Sequence, residues 1–595
     1  MKKLLTIAVA ALMTLTLVGC GGSDSSASKL VVGTLDMNGD FVEGITNNSY
    51  DKDVRDLIHG YNPVVVDADG VLQWQTQVLA EEPKAVENED GTKTYTVKIK
   101  NDLKWNDGEA ITAKDYVISY LARSSKEWTA IGGSGQATDL VGFEAYNEGK
   151  TDEFEAIKLI DDYTFSATIK AEKLPYYWDK SFVWVYPMPV HVIAKDVEFK
   201  TGEKGGVAIA KEDMANIATY IKDEYVKNPK VTCGPYKFIS FQDKQVSLEK
   251  NENFIGDYRG ELPKIDQIVI KTVNADKDVD TLIAGEVDIV NGVVEGEKIE
   301  KAEADDNIQT SVYARNGYGN MPIATYYGAT KEVEVRHALA YLVDTTKIAT
   351  AAMGSYGLPC YSDYGAAQKV YVDNKEWVNE NLNKYAYSVE NANAELDKSS
   401  YRFEADGKTP FDAAKASEDY LRYNEKGEVL TISHCGSENN AITDNIKTQL
   451  LENAPKAGVK YESTITDFAS LLDAYYAKGT GDVTYNVYNM ATGYSEVPDP
   501  EADNHSKWAS NLGGYNSTGI ADAELDKCIE AIKACTTEEE YDAAWKEYQK
   551  RWNYLLPMIP TYTNNYYDFA NKKVVGFKTT PFRNWANEIC LYSID

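Results

Sequence analysis

Histidine is scarce in this chain. There are five in 595 residues, His59, His191, His337, His434 and His505, and no two stand at ligand spacing. That leaves little basis for a zinc centre or a Ser–His catalytic pair. No G-x-S-x-G, H-E-x-x-H or G-x-x-x-x-G-K-[ST] motif occurs, and Gly132-Gly133-Ser134-Gly135 lacks the following lysine and reads as a loop. Asp67-Ala68-Asp69-Gly70 lacks the remaining ligands of a calcium loop and reads as a turn. No cofactor is implied. Basic residues are also short, 61 Lys and Arg against 93 Asp and Glu, for a formal charge of -32. Such a body cannot neutralise phosphates, which argues against nucleic acid and against a basic membrane-binding face. No C-x-x-C pair is present. Beyond the first twenty residues no segment approaches a membrane-spanning run.

What is present begins at the N-terminus. Met1-Lys2-Lys3 is a short basic segment, and Leu4 to Val18 carries no charge and is mostly apolar. This is the arrangement of a secretory signal over residues 1–19. Leu17-Val18-Gly19-Cys20 resembles the bacterial lipobox, in which cleavage falls before the cysteine and its sulfur takes a diacylglyceryl group. Cys20 is therefore the expected lipidation site, and two acyl chains make a stable membrane anchor. Residues 20–28, rich in Gly and Ser, read as a flexible tether. Loss of Lys2 and Lys3 with the signal takes the charge to -34. The expected location is outside the cytoplasm, held to the cell membrane.

The remaining chain is globular in composition, 43% hydrophobic, and long enough for several domains. Tyrosine is abundant, 42 against 15 Phe; it suits ligand pockets, although any single one fits a half-buried strand or helix position. The six cysteines after Cys20 read mainly as buried apolar residues, with room for one bridge, while Cys528 and Cys535 stand too far apart along a helix to join directly.

Strands and helices are interspersed. Residues 30–33 predict a first strand and Asp53–Gly60 a short helix. Thr94–Lys100 alternates as a half-buried strand, and Thr112-Ala113-Lys114-Asp115 predicts a capping box opening a helix through Tyr116, Val117, Tyr120 and Leu121. Strands are expected within 157–170, 231–249, 265–272 and 287–290. Helices are expected at 333–343, 439–453, 467–477, 521–534 and 538–555. The last is capped by Thr537 and Glu540, with an apolar stripe through Tyr541, Trp545, Tyr548 and Trp552. Pro557 and Pro560 end it, and a Tyr-rich extended segment leads to strands around 574–592. The mixture favours an α/β fold.

Several longer blocks stand in one order: Leu103-Lys104-Trp105-Asn106-Asp107-Gly108-Glu109-Ala110-Ile111-Thr112-Ala113-Lys114-Asp115, Cys233-Gly234-Pro235-Tyr236-Lys237, Leu248 to Phe254, Leu282 to Ile289, Val335-Arg336-His337-Ala338-Leu339, Pro498-Asp499-Pro500 and Pro557-Met558-Ile559-Pro560. Together they resemble the family-5 extracellular solute-binding proteins, the oligopeptide- and dipeptide-binding proteins of ABC importers. The resemblance covers essentially all of the chain after the tether. It implies a two-lobed, type II clamshell of α/β class with an extra inserted subdomain in lobe one. Lobe one would span 29–273, with the insertion at about 60–172, lobe two 274–561, and residues 562–595 would return to lobe one. The crossings would fall near Thr272-Val273-Asn274 and Thr561-Tyr562-Thr563.

The resemblance further implies an extended ligand, an oligopeptide or another small solute, paired with strand edges between the lobes and passed to the permease subunits of an ABC transporter. One edge would be Leu35, Asp36, Met37 and Asn38. The other would follow Val483–Asn489 and include Tyr488, Asn489, Met490 and Ala491. Peptide-binding members often carry an Asp in a W-x-A-D-Y pattern that pairs with the peptide ammonium; Gly493 stands at that place here. Asp499 and Glu496 are the acids near enough to replace it. An oligosaccharide ligand, or a peptide-sensing receptor that passes nothing onward, remains an alternative.

Overall fold

The computed structural model describes residues 27–595 apart from 46–47, 482, 496 and 511–513. The expected signal, Cys20 and Glu496 lie outside the described residues.

The chain builds two lobes around a shared sheet, with ten strands among the described residues. β1 (Lys29–Thr34) buries Leu30 and Val32 fully on one face, while Val31 packs into a second cluster on the other. A strand covered on both faces needs this apolar run. α1 (Ser49–Ile58) follows, its Val54, Leu57 and Ile58 fully buried. α2 (Ala113–Ser124) opens as predicted: the Asp115 carboxylate accepts from the Thr112 backbone N–H at 2.7 Å. Nearly the whole circumference of α2 is buried.

β2 (Tyr236–Gln242), β3 (Gln245–Lys250) and β4 (Gln267–Thr272) form an antiparallel meander. Just before it Gly234 donates its N–H to the Ile58 carbonyl at 2.7 Å. A Cβ there would lie 2.5 Å from the Leu57 oxygen, so the G-P-Y turn requires its glycine. β4 runs parallel to β1, from Lys29↔Gln267 to Thr34↔Thr272.

β5 (Ile289–Val293) pairs parallel with the other side of β1; after a helix at Gly296–Glu303 come β6 (Ile308–Ala314) and β7 (Gly317–Pro322). β8 (Met490–Gly493) and β9 (Met558–Asn571) complete the order β2-β3-β4-β1-β5-β9-β7-β8, with β6 and the short strand Gly357–Leu358 also on β9. β9 is 14 residues long and changes partner along its length. Met558–Tyr562 pairs with β7, and Asn565–Asn571 with β6.

This pairing differs from the expected first crossing at Thr272-Val273-Asn274. The Val273 N–H donates to the Thr34 carbonyl at 2.8 Å. Val279, Leu282, Val287 and Ile299 then pack against Phe569 under the same sheet. The apolar run ending in β5 finds its burial beside β1, so the chain leaves this sheet region only after Ala314. Between β6 and β7 the Arg315 N–H donates to the Asn564 carbonyl at 2.9 Å, so the two connecting stretches lie side by side.

The insertion carries the four-stranded sheet Lys84–Glu87, Lys93–Lys98, Thr164–Ile169 and Ile157–Asp161. It extends past residue 172, because Lys200–Thr201 and Val207–Ala208 pair onward from Glu153–Phe154. In lobe two, α3 (Ala523–Lys533) and α4 (Glu538–Leu555) pack together. The predicted cap of α4 is displaced by one residue on its return half: Thr537 Oγ1 accepts from Glu540 N–H, but the Glu540 carboxylate accepts from Thr536. All six cysteines among the described residues are free, four of them buried.

Candidate functional site

Two cavities open between the lobes. The smaller, about 460 Å³, is walled by Tyr120 and Arg123 of α2, by Arg55 and His59, and by Trp184 and Tyr186; Ser495 and Val497 close it from lobe two. The larger, about 840 Å³, is walled by Tyr176, Tyr177, Trp178 and Phe582 of lobe one, and by Tyr541, Cys535, Pro498 and Ser495 of lobe two. Ser495 lines both, so the segment after β8 divides the cleft. These volumes fall in the range of small-ligand sites.

The first expected edge is largely committed to its own chain. The Asp51 carboxylate, in the first turn of α1, accepts from the backbone N–H groups of Asn38, Gly39 and Asp40 at 3.1–3.2 Å. Asp36 is paired with Lys244 at 2.7 Å, Met37 is buried, and the Leu35 carbonyl accepts from Thr272. The donor at Asn38 thus faces a carboxylate rather than the cleft. An acidic residue at the N-terminus of α1 attracts those N–H groups, a local contest that alternation of side chains does not reveal.

The second edge is different. Tyr488 and Asn489 point inward: the Tyr488 hydroxyl donates to the Ala474 carbonyl at 3.3 Å, and Asn489 accepts from Thr443 at 3.0 Å. Met490 to Gly493 then form β8, paired with β7 from Gly317↔Gly493 to Asn320↔Met490. β8 ends the sheet, so its other backbone edge is unpaired among the described strands. Ala491 and Gly493 are exposed, and a Cβ at Gly493 would meet nothing within 4 Å.

Asp499 sits deeper. Its carboxylate accepts from the Glu501 N–H at 2.9 Å and from the Tyr176 hydroxyl across the cleft. Burial pushes its pKa up. It shares a small cavity with Asp363, Asp503 and Tyr494. Asp503, although exposed, is raised by desolvation at the cavity wall and by repulsion from Asp363 and Asp499. Asp363 in turn collects the hydroxyls of Tyr318 (3.0 Å), Tyr494 and Tyr548 and the amide of Asn504 (3.2 Å). A carboxylate with four donors is held rigidly in place.

The cleft walls hold residues that motif reasoning passed over. Tyr120 reads as part of the packed face of α2, and Arg123, which the sequence reading did not single out, is a charged residue inside an otherwise buried helix. His59, isolated in sequence, donates from Nε2 to the Phe41 carbonyl (2.7 Å), and burial pushes its pKa down to about 4. His337 is packed between Tyr385 and Tyr554. Among the described residues no cluster of His, Cys, Asp and Glu is arranged to hold a metal ion, and no helix is long and apolar enough to cross a membrane.

The chain is similar to known proteins over most of its length. It is 21% identical to the oligopeptide-binding protein OppA of Lactococcus lactis subsp. cremoris, over 82% of this chain and 77% of that one. It is 22% identical to the oligopeptide-binding protein AppA of Bacillus subtilis, over 98% and 97%. The solved structure of Bacillus subtilis AppA with a nonapeptide superposes with a TM-score of 0.63 at 18% identity, covering 95% of this chain and 99% of that one, and speaks for the fold. Residues 76–513 match the family model described as bacterial extracellular solute-binding proteins, family 5 middle region. With that match spanning well over half of the sequence, on a two-lobed fold with its cleft between the lobes, the chain belongs to family 5 of the bacterial extracellular solute-binding proteins.

Proposed function

We propose that this protein captures oligopeptides outside the cytoplasm and delivers them to the permease of an ABC importer. The observation that carries the reading is the free outer edge of β8 beside a divided interlobe cleft. An extended peptide can pair its backbone there without regard to side chains. The relatives named for oligopeptide binding support the same ligand class. In this reading lobe one comprises residues 29–314 and 565–595, and lobe two 317–562. Closure turns about the paired stretches Arg315–Asn316 and Thr563–Asn564. A ligand drives closure only through contacts made better in the closed state. Anchoring by lipid at Cys20, read from Leu17–Cys20, would keep the body near the transporter.

Mass spectrometry of ligand released from the purified, denatured chain tests the reading. A heterogeneous set of short peptides is expected; a glycan would overturn it. For the anchor, Cys20→Ala should release the protein from membranes or leave an uncleaved precursor, and unchanged membrane retention with normal processing would count against lipidation.

A further inference from the structure

The smaller cavity is lined by buried donors that lack acceptors. Tyr120 and Arg123 lie one turn apart on α2, where i and i+3 share a face, and are 1% and 2% exposed. The Tyr120 hydroxyl and the Arg123 Nε have no hydrogen-bond partner. The ionic neighbour of Arg123 is Glu43, whose Oε2 stands 3.6 Å from Nη2, long for a hydrogen bond, and is itself without a hydrogen-bond partner. Folded chains rarely leave a buried guanidinium so poorly matched, because its lost hydration is not repaid.

The other charges around the cavity are already matched. Asp56 is paired with Lys52 at 2.6 Å and Asp139 with Lys173 at 2.7 Å. Arg55 gives Nη1 to the Asp40 carbonyl, a neutral acceptor, at 2.9 Å, and makes no ion pair among the described residues. His59, which feels both arginines, is uncharged at neutral pH. Two guanidinium groups therefore face one carboxylate, and the Glu43 side chain is 45% exposed although its Oε2 is buried against Arg123.

We propose that Tyr120, Arg123 and Arg55 form a subsite for a carboxylate of the captured ligand, with Glu43 displaced from Arg123 when that carboxylate enters. The subsite rests on the peptide-capture reading. Two sources share the chemistry, the C-terminus of a peptide and an acidic side chain. The bound carboxylate accepts from Nε and from the Tyr120 hydroxyl, bonds that charge assistance makes strong. Arg55 adds charge from the neighbouring wall.

Titration calorimetry on the full chain, stripped of bound ligand, separates the possibilities. Three probes are used: a mixture of pentapeptides of Ala, Gly, Leu, Val and Tyr with free C-termini, the same mixture as C-terminal amides, and amides carrying one Glu each. The wild type should bind the free-acid mixture about tenfold more tightly than the neutral amides. In Tyr120→Phe, which removes a hydroxyl that bonds nothing in the empty protein, that gap should narrow severalfold. Glu43→Gln should widen it by removing the competitor. Recovery of tight binding by the Glu-containing amides assigns an acidic side chain as the source; no recovery assigns the C-terminus. Equal binding of all three mixtures, unmoved by either variant, overturns the subsite and leaves the cavity to water. Absence of binding by every mixture overturns the peptide-capture reading itself, and the subsite with it.

Discussion

Tyr177 and Tyr541 stack face to face across the cleft, their ring centroids 4.8 Å apart and their planes 7° from parallel. One belongs to the insertion in lobe one and the other to α4 in lobe two. Trp178 meets the same Tyr541 edge-on at 5.4 Å, and Tyr176 reaches Asp499. The lobes therefore touch through a run of three aromatic residues. An aromatic pair of this kind adds about 0.5–1.5 kcal/mol beyond its area. Tyr177→Ala, at a half-buried position, should weaken ligand binding about threefold to tenfold. It should also shift small-angle scattering of the liganded protein toward a more open form. Unchanged affinity and scattering would remove the stack from the energetics of closure.

Gly493 invites the opposite kind of test. It is exposed on the free edge of β8 with empty space around it. Gly493→Asp should fold normally and place a carboxylate where an ammonium of an edge-bound peptide comes closest. Binding of free-amine peptides should tighten about tenfold over their N-acetylated forms. By contrast Asp499 is tied to Glu501 and Tyr176, so Asp499→Ala should weaken both peptide forms alike. A selective loss of free-amine binding in Asp499→Ala would make Asp499 the ammonium partner instead.

Asp363 gathers three tyrosine hydroxyls beneath the cleft. Removing the carboxylate leaves Tyr318 and Tyr548, both buried, without their charged acceptor, Tyr318 keeping only the weak Met558 sulfur at 3.5 Å. Asp363→Ala should cost about 3 kcal/mol or more of stability, since each stranded buried donor carries about 1–3. Urea unfolding measures it. A loss below about 1 kcal/mol would mean the hydroxyls find water.

His434 supplies a pH dependence with a definite sign. It is fully buried, its Nδ1 lies 2.8 Å from the Tyr461 hydroxyl, and burial pushes its pKa from 6.5 down to about 4. As pH falls below about 6.5 the unfolded chain takes a proton that the folded one refuses until about 4. The stability from the neutral ring is thus whole above 6.5 and is lost in that window. Between pH 7 and pH 5 this residue should cost about 2 kcal/mol. His434→Gln should flatten that part of the profile in denaturant titrations; an unchanged slope would show that the ring titrates normally.

How much of this was legible beforehand varies with the range of the interaction. Local chemistry was readable: the Thr112–Asp115 cap and the stripe of α4 each rest on residues a few positions apart. The ordered blocks carried the fold because they are turns, caps and core positions. The first crossing is proposed some forty residues later than the sequence suggested, because β5 and β6 return to β1 and β9 through pairings hundreds of positions apart. At the edge Leu35–Asn38 the sequence does not show that Asp51, from the next helix, takes the Asn38 N–H. Arg123 and Tyr120 were hidden in a helix that reads as core, and only their unmet hydrogen-bonding capacity, visible in three dimensions, sets them apart.

The partner change within β9 has a consequence for how the protein melts. Tyr562 is held by β7, and Asn565, three residues on, by β6. If either lobe unravels, half of that strand loses its ladder while the other half stays clamped, and stranded backbone groups are costly. The two lobes are in this sense one cooperative body with a flexible waist. Heating should therefore reveal a single transition in which domains free to swing apart still fall together.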